Sequence, residues 1–198
     1  MVKEVRLYFE GDPRLRRGMG EFLAELRERA RRVGCGFRLI ACGNRTLEDF
    51  CDALRSHPDA YVVALLDSDG PLSEEKRQAF FHRRDWSPPA GAAHAAERVF
   101  RMVQVMEAWF LADPEALAEF YGQGFRPAAL KRNPCVEQIL KADVLESLRR
   151  ASRETRKGPY HKTAHAPELL ARIRAGRVRA GAPNCERFFT HVLGLFSE

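Results

Sequence analysis

The chain lacks several features that define whole classes of protein. No apolar run approaches the roughly 18 residues that a membrane-spanning helix needs, so we expect no integral membrane protein. The five cysteines include no C-x-x-C pair, and their odd number argues against a disulfide framework or a structural zinc site. No signal peptide is visible, because a strand-like segment begins within the first few residues. The expected location is therefore the reducing cytoplasm.

The chain also lacks internal repeats and low-complexity tracts, which argues against a solenoid or a disordered protein. Hydrophobic residues make up 45% and charged residues 30% of the sequence, a balance that supports a globular core. A length of 198 residues fits one domain with an appendage. We predict an α/β core over residues 1–135 and a basic helical C-terminal extension, residues 136–198, packed on that core.

Positive charge is distributed unevenly along the chain. Residues 1–140 hold 21 Lys and Arg against 21 Asp and Glu, whereas residues 141–187 hold 12 against 5 and carry a net +7. A basic C-terminal third predicts a polyanionic partner, and nucleic acid or a nucleotide is the expected one. A solvated helical face would show the same excess of positive charge, so both interpretations stay open.

The apolar pattern alternates between strands and helices. Three strands are predicted: Val5–Phe9, Phe37–Cys42 and Tyr61–Leu66. Helices are predicted over about residues 14–33 and 46–55, and Ser73 is expected to begin another. This β-α-β-α-β order favours a parallel sheet with right-handed crossovers. A fourth strand is expected at Val99–Met106, followed by a helix that opens at Glu107.

Carboxylates are expected to gather at one edge of this sheet. Glu10 ends the first predicted strand, and Asp67 and Asp69 follow the third. Residues i and i+2 of an extended segment face the same side, so Asp67 and Asp69 are predicted to face one cation together. Ligand sites of open parallel sheets lie at this edge, and clustered carboxylates suit Mg²⁺ or Mn²⁺ with a substrate phosphate. The alternative is that these residues are turn and surface charges.

Glu107 is a candidate for the same metal site. It follows the fourth predicted strand, so its carboxylate is expected near the carboxyl edge of the sheet. It is equally well placed as an acidic residue at a helix N-terminus, where it interacts favourably with the helix dipole. The sequence leaves these two roles open.

A second group of candidates lies in the basic third of the chain. Lys157, Tyr160, His161 and Lys162 offer positive charge, a proton donor and an aromatic stacking face, which suit a phosphate backbone or a nucleotide. An ordinary basic loop is the other interpretation. His161 and His165 have the i, i+4 spacing of a zinc pair, but no third ligand is spaced to match, so zinc is not expected.

Two motifs resemble the Toprim domain, which occurs in primases, topoisomerases and the OLD-type nucleases of phage defence. They are Glu10-Gly11 and Asp67-Ser68-Asp69-Gly70. The resemblance implies a Rossmann-like three-layer α/β sandwich around a central, mostly parallel sheet of about four strands. It also implies that Glu10 acts as general acid or base and that Asp67 and Asp69 bind Mg²⁺.

Three longer stretches resemble one uncharacterised, Toprim-related bacterial family whose members carry only a domain-of-unknown-function label. They are residues 85–92, 102–113 and 157–162. Some relatives in that family are encoded beside ATPases, as in two-part defence systems. The resemblance therefore implies a partner ATPase and a role in phage defence.

Together these observations favour a Mg²⁺-dependent nuclease or a related phosphoryl-transfer protein acting on nucleic acid. The alternative is a non-catalytic Toprim-like module that binds a partner protein or a nucleotide. A hydrolase of the haloacid-dehalogenase type is disfavoured. Its nucleophile motif normally ends the first strand of the fold, whereas two βα units precede Asp67 here and Pro71 replaces the Thr or Val of that motif.

Overall fold

The computed structural model describes residues 2–197 except residues 74, 76–78, 80–81, 83, 91 and 93. Its strands are β1 (Glu4–Phe9), β2 (Gly36–Ala41), β3 (Tyr61–Asp67) and β4 (Val99–Met102). They form one parallel sheet in the order β2-β1-β3-β4. The predicted parallel sheet is confirmed, and β1 and β3 are its two central strands.

The helices of the described residues are α1 (Leu15–Phe22), α2 (Ala24–Arg32), α3 (Thr46–Ser56), α4 (Ala108–Leu111), α5 (Pro114–Tyr121), α6 (Lys141–Ser152), α7 (Lys162–Arg172), α8 (Ala175–Gly181) and α9 (Pro183–Gly194). None of them is long and apolar enough to cross a membrane. The helix predicted to begin at Ser73 lies for the most part outside the described residues.

The sheet is covered on both faces, which explains the unbroken apolar sequence of β3. Val63 and Leu65 point to one face, where they join a cluster with side chains of α1, α2 and α9. Val62 and Ala64 point to the other face and pack in a second cluster with α3. The three-layer sandwich implied by the Toprim resemblance is therefore confirmed.

The C-terminal helices share a core with the sheet. Leu148 of α6, Leu169 of α7 and Phe188 of α9 are fully buried in the same cluster as Val63 and Leu65. The apolar faces of these basic helices are thus turned inward, and their charges lie on the outer surface.

Two predicted elements differ from the structure. The expected fourth strand ends at Met102 instead of Met106, because Gln104 has a left-handed backbone (φ 59°) that an extended strand cannot contain. The expected long first helix is divided between α1 and α2 at Leu23, whose φ of −95° and ψ of 20° leave the helical range.

Helices α1 and α7 approach each other at the level of their backbones. Gly18 of α1 is buried, and a Cβ atom added there would lie 2.3 Å from the carbonyl oxygen of Pro167 in α7. No side chain fits in that space, so a glycine is needed for this contact. The contact holds a helix of the first βα unit against a helix from the end of the chain.

We expect Gly18→Ala to lower the free energy of unfolding by about 1–3 kcal/mol, because overpacking at this contact forces the two helices apart. Gly176→Ala in α8 is the matched control, since nothing lies within 4 Å of its Cβ position. Removing a helical glycine there should stabilise the protein by roughly 0.5–1 kcal/mol. Urea unfolding measures the stability of both variants. Equal stabilities of Gly18→Ala and wild type would contradict the close contact.

Candidate metal and phosphate site

The central position of β1 and β3 places Glu10 beside Asp67. The two strands are in register with Phe9 opposite Leu65, and the Glu10 N–H donates to the Leu65 carbonyl at 2.9 Å. The Asp67 N–H in turn donates to Oε2 of Glu10 at 3.2 Å. The predicted proximity of Glu10 and Asp67 is therefore confirmed.

The Asp67 carboxylate is nearly enclosed, with 9% of its side chain exposed. Its Oδ1 accepts a hydrogen bond from the Met106 N–H at 2.8 Å, and its Oδ2 lies 3.9 Å from Nζ of Lys162. Burial raises the pKa of Asp67 to about 7; Lys162 opposes this rise, and the nearby Glu107 and Glu10 add to it. Asp67 is thus a carboxyl group that is costly to ionise without a cation beside it.

Glu10 is half-buried at the end of β1. Burial raises the pKa of its carboxyl group, and the negative charge of Asp69 raises it further. The hydrogen bond from the Asp67 backbone and the charge of Lys162 act in the opposite direction. A carboxyl group with a raised pKa suits a role in giving or taking protons near neutral pH.

Glu107 is the most deeply buried acid of this corner, with 1% of its side chain exposed. It precedes the first residue of α4, as predicted for a helix-opening acid. Its Oε1 accepts a hydrogen bond from the Tyr160 hydroxyl at 3.0 Å and lies 3.4 Å from Nζ of Lys162. Among the described residues, nothing donates to its Oε2. A buried carboxylate oxygen without a partner is costly, and a bound cation would remove that cost.

Asp69 does not continue the strand that ends at Asp67. Its backbone is left-handed (φ 51°), so the extended geometry assumed for residues 67–69 is wrong. The Asp69 side chain is 66% exposed and accepts a hydrogen bond from Nζ of Lys141 at 2.7 Å. This bond raises the pKa of the Lys141 ammonium. Asp67 and Asp69 thus form their direct ion pairs with different lysines, and the charge of Asp69 also raises the pKa of Glu10.

The turn that redirects Asp69 is fixed by a second unusual residue. Gln104 and Asp69 are the non-glycine residues with positive φ in the described chain, and Gln104 bridges Gly70 across an antiparallel pair. The buried Gln104 amide donates to the Glu137 carbonyl at 3.2 Å and accepts from the Lys141 N–H at 3.3 Å. Such strained residues concentrate at functional sites. Sequence reasoning missed Lys141, because it follows no motif.

Tyr160 does not offer the predicted stacking face. It is 5% exposed, and its ring packs against Phe110 and His165 with centroids 6.3 and 6.1 Å away. The expectation that a base stacks on Tyr160 is therefore wrong. The ring is buried because its hydroxyl reaches inward to Glu107.

The other members of the predicted substrate-binding group lie on the surface. Lys162 reaches both Asp67 and Glu107. Lys157 is exposed, and its ammonium lies 4.6 Å from the ring centroid of Phe120. His161 is also exposed, and its backbone N–H donates to Nδ1 of the buried His165 at 3.2 Å.

The described residues contain no three His, Cys, Asp or Glu side chains already grouped to hold a metal ion. The ammonium groups of Lys141 and Lys162 lie against the carboxylates and balance part of their charge. The available donors fit Mg²⁺ or Mn²⁺, because all of them are oxygens. The unpartnered Oε2 of Glu107 is the donor that most needs a cation.

The raised pKa of Asp67 predicts a pH-dependent effect on stability. The folded-state pKa lies above the ordinary value of 3.8, so ionising Asp67 destabilises the fold, increasingly as pH rises from about 4 to about 7. Without divalent metal, Asp67→Asn should therefore raise the free energy of unfolding by roughly 1–3 kcal/mol at pH 8 and by less at pH 5.

Denaturant unfolding of Asp67→Asn and wild type at pH 5 and pH 8, in the presence of EDTA, measures this difference in the free energy of unfolding. The exposed Asp59→Asn makes the same chemical change outside the site and should leave stability within about 0.5 kcal/mol of wild type. If Asp67→Asn is no more stable than wild type at pH 8, Lys162 stabilises the Asp67 carboxylate by more than its burial costs.

Comparisons with known proteins agree with this fold. The family model described as "Domain of unknown function (DUF4276)" matches residues 15–193. The structure of the C-terminal region of the Burkholderia pseudomallei OLD protein is similar over 100% of both chains, with a TM-score of 0.58 and 10% identity.

Two structures of the C-terminal region of the Xanthomonas campestris pv. campestris OLD protein also match. One covers 98% of this chain and 95% of its own, with a TM-score of 0.49 and 16% identity. The other covers 96% of this chain and 93% of its own, with a TM-score of 0.45 and 15% identity. No curated protein sequence matches the chain. Because the family model spans most of its length, the chain belongs to the family described as "Domain of unknown function (DUF4276)", and it has a Toprim-like fold.

Proposed function

We propose that this protein is a divalent-metal-dependent nuclease, or a related phosphoryl-transfer protein, that acts on nucleic acid. The observation that carries the proposal is the corner formed by Glu10, Asp67 and Glu107. There, two nearly enclosed carboxylates adjoin a third, a lysine ammonium lies against them, and Oε2 of Glu107 has no partner among the described residues.

Each residue of the corner has a role in this proposal. Glu10, Asp67 and Glu107, together with the neighbouring Asp69 outside the corner, would hold Mg²⁺ or Mn²⁺ through carboxylate oxygens. Such a cation, when bound, supplies positive charge that stabilises the transferring phosphoryl group. Glu10 gives or takes the proton, because burial raises the pKa of its carboxyl group. Lys162 is long, half-exposed and adjacent to the carboxylates, so its ammonium is placed to bind a substrate phosphate.

The distribution of ion pairs supports a proposal for where nucleic acid would bind. The arginines at the end of α7, in α8 and between these two helices form ion pairs with acidic side chains: Arg172, Arg174, Arg177 and Arg179. Residues 149–157, by contrast, hold five basic side chains and one acidic side chain, all exposed. The acidic one, Glu154, pairs with Arg126 and Arg153. This segment leads directly to Lys162, so a phosphate backbone bound there lies next to the carboxylates.

The fold and the cysteines support the biological setting of the proposal. The C-terminal region of an OLD protein has a similar fold. The resemblance of residues 85–92, 102–113 and 157–162 to the Toprim-related family points to phage defence together with a partner ATPase. All five cysteines are free thiols, which agrees with the reducing cytoplasm.

A non-catalytic module is the second candidate function. It is favoured by the two lysines, because Lys141 and Lys162 already balance the charges of Asp69, Asp67 and Glu107. In that case the corner is a structural ion-pair network, and the protein binds a partner or a nucleotide without cleaving it. Metal binding separates the two candidates.

We expect wild type to bind Mn²⁺ and to cleave nucleic acid, and Asp67→Asn to do neither well. Asn keeps the shape of Asp but removes one negative charge from the corner, so the hard cation binds more weakly. At saturating Mn²⁺, Glu10→Gln should still lose about 10²–10⁴-fold in turnover, because an amide cannot transfer the proton. Calorimetry measures the Mn²⁺ affinity, and a panel of labelled DNA and RNA measures cleavage.

Asp59→Asn serves again as the exposed control and should match wild type in both assays. If wild type binds no Mn²⁺ and cleaves nothing, with or without its partner ATPase, the nuclease proposal is wrong and the binding module is preferred.

Nucleic-acid affinity should fall steeply with salt, because lysines and arginines that neutralise phosphates release counterions. For duplex DNA, the slope of log affinity against log salt concentration should be less steep by up to about 2 in the double variant Arg149→Gln/Arg156→Gln. Each lost phosphate contact reduces the magnitude of this slope by about 0.9. The control Arg16→Gln/Arg17→Gln removes the same charge from the exposed side of α1. Equal slopes for the two double variants would show that residues 149–157 do not contact the phosphates.

A further inference from the structure

Tyr160 is a buried polar side chain of the site to which the proposed function gives no role. Its hydroxyl donates to Oε1 of Glu107 at 3.0 Å, across 53 residues of sequence. Glu107 is itself 1% exposed, and its other oxygen, Oε2, has no partner among the described residues. Oε1 of this carboxylate is therefore hydrogen-bonded to the protein, whereas Oε2 has no donor among the described residues.

We propose that Tyr160 is a positioning residue that orients the Glu107 carboxylate for cation binding. A carboxylate attached to a flexible side chain can rotate and offer either oxygen. By donating to Oε1, the Tyr160 hydroxyl fixes this rotation and reserves Oε2 for the cation. The inference rests on the proposed function, because it requires that a divalent cation binds at this corner.

The hydroxyl can hold Glu107 because Tyr160 is itself held from several sides. Its N–H donates to Oγ of Ser152 at 2.7 Å, and that hydroxyl donates to the Leu148 carbonyl at 2.8 Å within α6. Its ring packs against Phe110, in the same short helix that Glu107 precedes. Tyr160 thus connects α6 and α4 to Glu107 through a buried side chain.

Lys162 cannot perform the same task. Its ammonium also approaches Oε1 of Glu107, at 3.4 Å, but its side chain is 55% exposed. A half-exposed lysine is flexible, and in the proposed function its charge is needed by the substrate phosphate. Tyr160 is neutral and enclosed, so it keeps the orientation of Glu107 when Lys162 moves away. Hydrogen-bond donors behind a metal ligand typically change metal affinity by about 10–100-fold.

The experiment compares two buried tyrosines by Mn²⁺ titration calorimetry. Tyr160→Phe removes the hydroxyl that contacts Glu107. Tyr121→Phe is the matched control, because Tyr121 is 3% exposed and its hydroxyl contacts Nδ1 of His165 at 3.1 Å instead of a carboxylate. We expect Tyr160→Phe to weaken Mn²⁺ binding by about 10-fold or more and Tyr121→Phe to change it less than about twofold. A purely structural role would lower the melting temperature of both and leave Mn²⁺ affinity unchanged.

A double-mutant cycle locates the effect on Glu107. In a Glu107→Gln background, Tyr160→Phe should weaken Mn²⁺ binding no further, because the carboxylate that it orients is gone. If Tyr160→Phe does not fold, Ser152→Ala replaces it, since it removes the acceptor of the Tyr160 N–H and should lower Mn²⁺ affinity by a smaller factor.

Wild-type Mn²⁺ affinity in the folded Tyr160→Phe variant, or in Ser152→Ala if that variant replaces it, would overturn the inference and leave the proposed function intact. A wild-type protein that binds no Mn²⁺ would overturn both.

Discussion

Asp67 and Glu107 are two neighbouring acidic side chains in the protein interior, and much of the structure around them offsets the cost of burying them. Two like charges in a region of low dielectric repel each other and lose their hydration. The structure offsets this cost with the Met106 N–H, the Tyr160 hydroxyl and the Lys162 ammonium. These donors come from the loop after β4 and from the segment that enters α7. Asp67 ends a strand of the sheet, Glu107 and Met106 lie between β4 and α4, and Tyr160 and Lys162 lie just before and at the start of α7. The corner is therefore complete only when all of these segments are folded together.

The sequence predicts the position of Glu10 and Asp67 well because local signals determine it. An unbroken apolar run marks β3 as a covered strand, and the alternation with helices makes the sheet parallel. Residues that end neighbouring parallel strands must then meet at one edge, as Glu10 and Asp67 do. The helix-opening position of Glu107 follows from a similarly local pattern. In each case the side chain is adjacent to the element that places it.

The residues that the sequence placed wrongly depend on distant contacts. Asp69 turns outward because Gly70 pairs with Gln104, more than thirty residues away. Lys141 reaches Asp69 because the same Gln104 holds the start of α6. From its sequence neighbours, Tyr160 is expected to be an aromatic residue of a basic surface loop. In the structure it is buried, because its hydroxyl donates a hydrogen bond to Glu107. No periodicity or motif predicts these long-range contacts, because they form only when the layers of the fold pack together.

The glycine contact between α1 and α7 has a consequence for how such a chain can diverge. Gly18 lies on the helix that follows Glu10, and Pro167 lies on the helix that begins at Lys162. At Gly18 no side chain fits between the two backbones, so a larger residue there has to displace α7. Substitutions along this helix–helix contact therefore have to be coordinated. Within the family, paired substitutions on α1 and α7 should therefore accompany any change at Gly18.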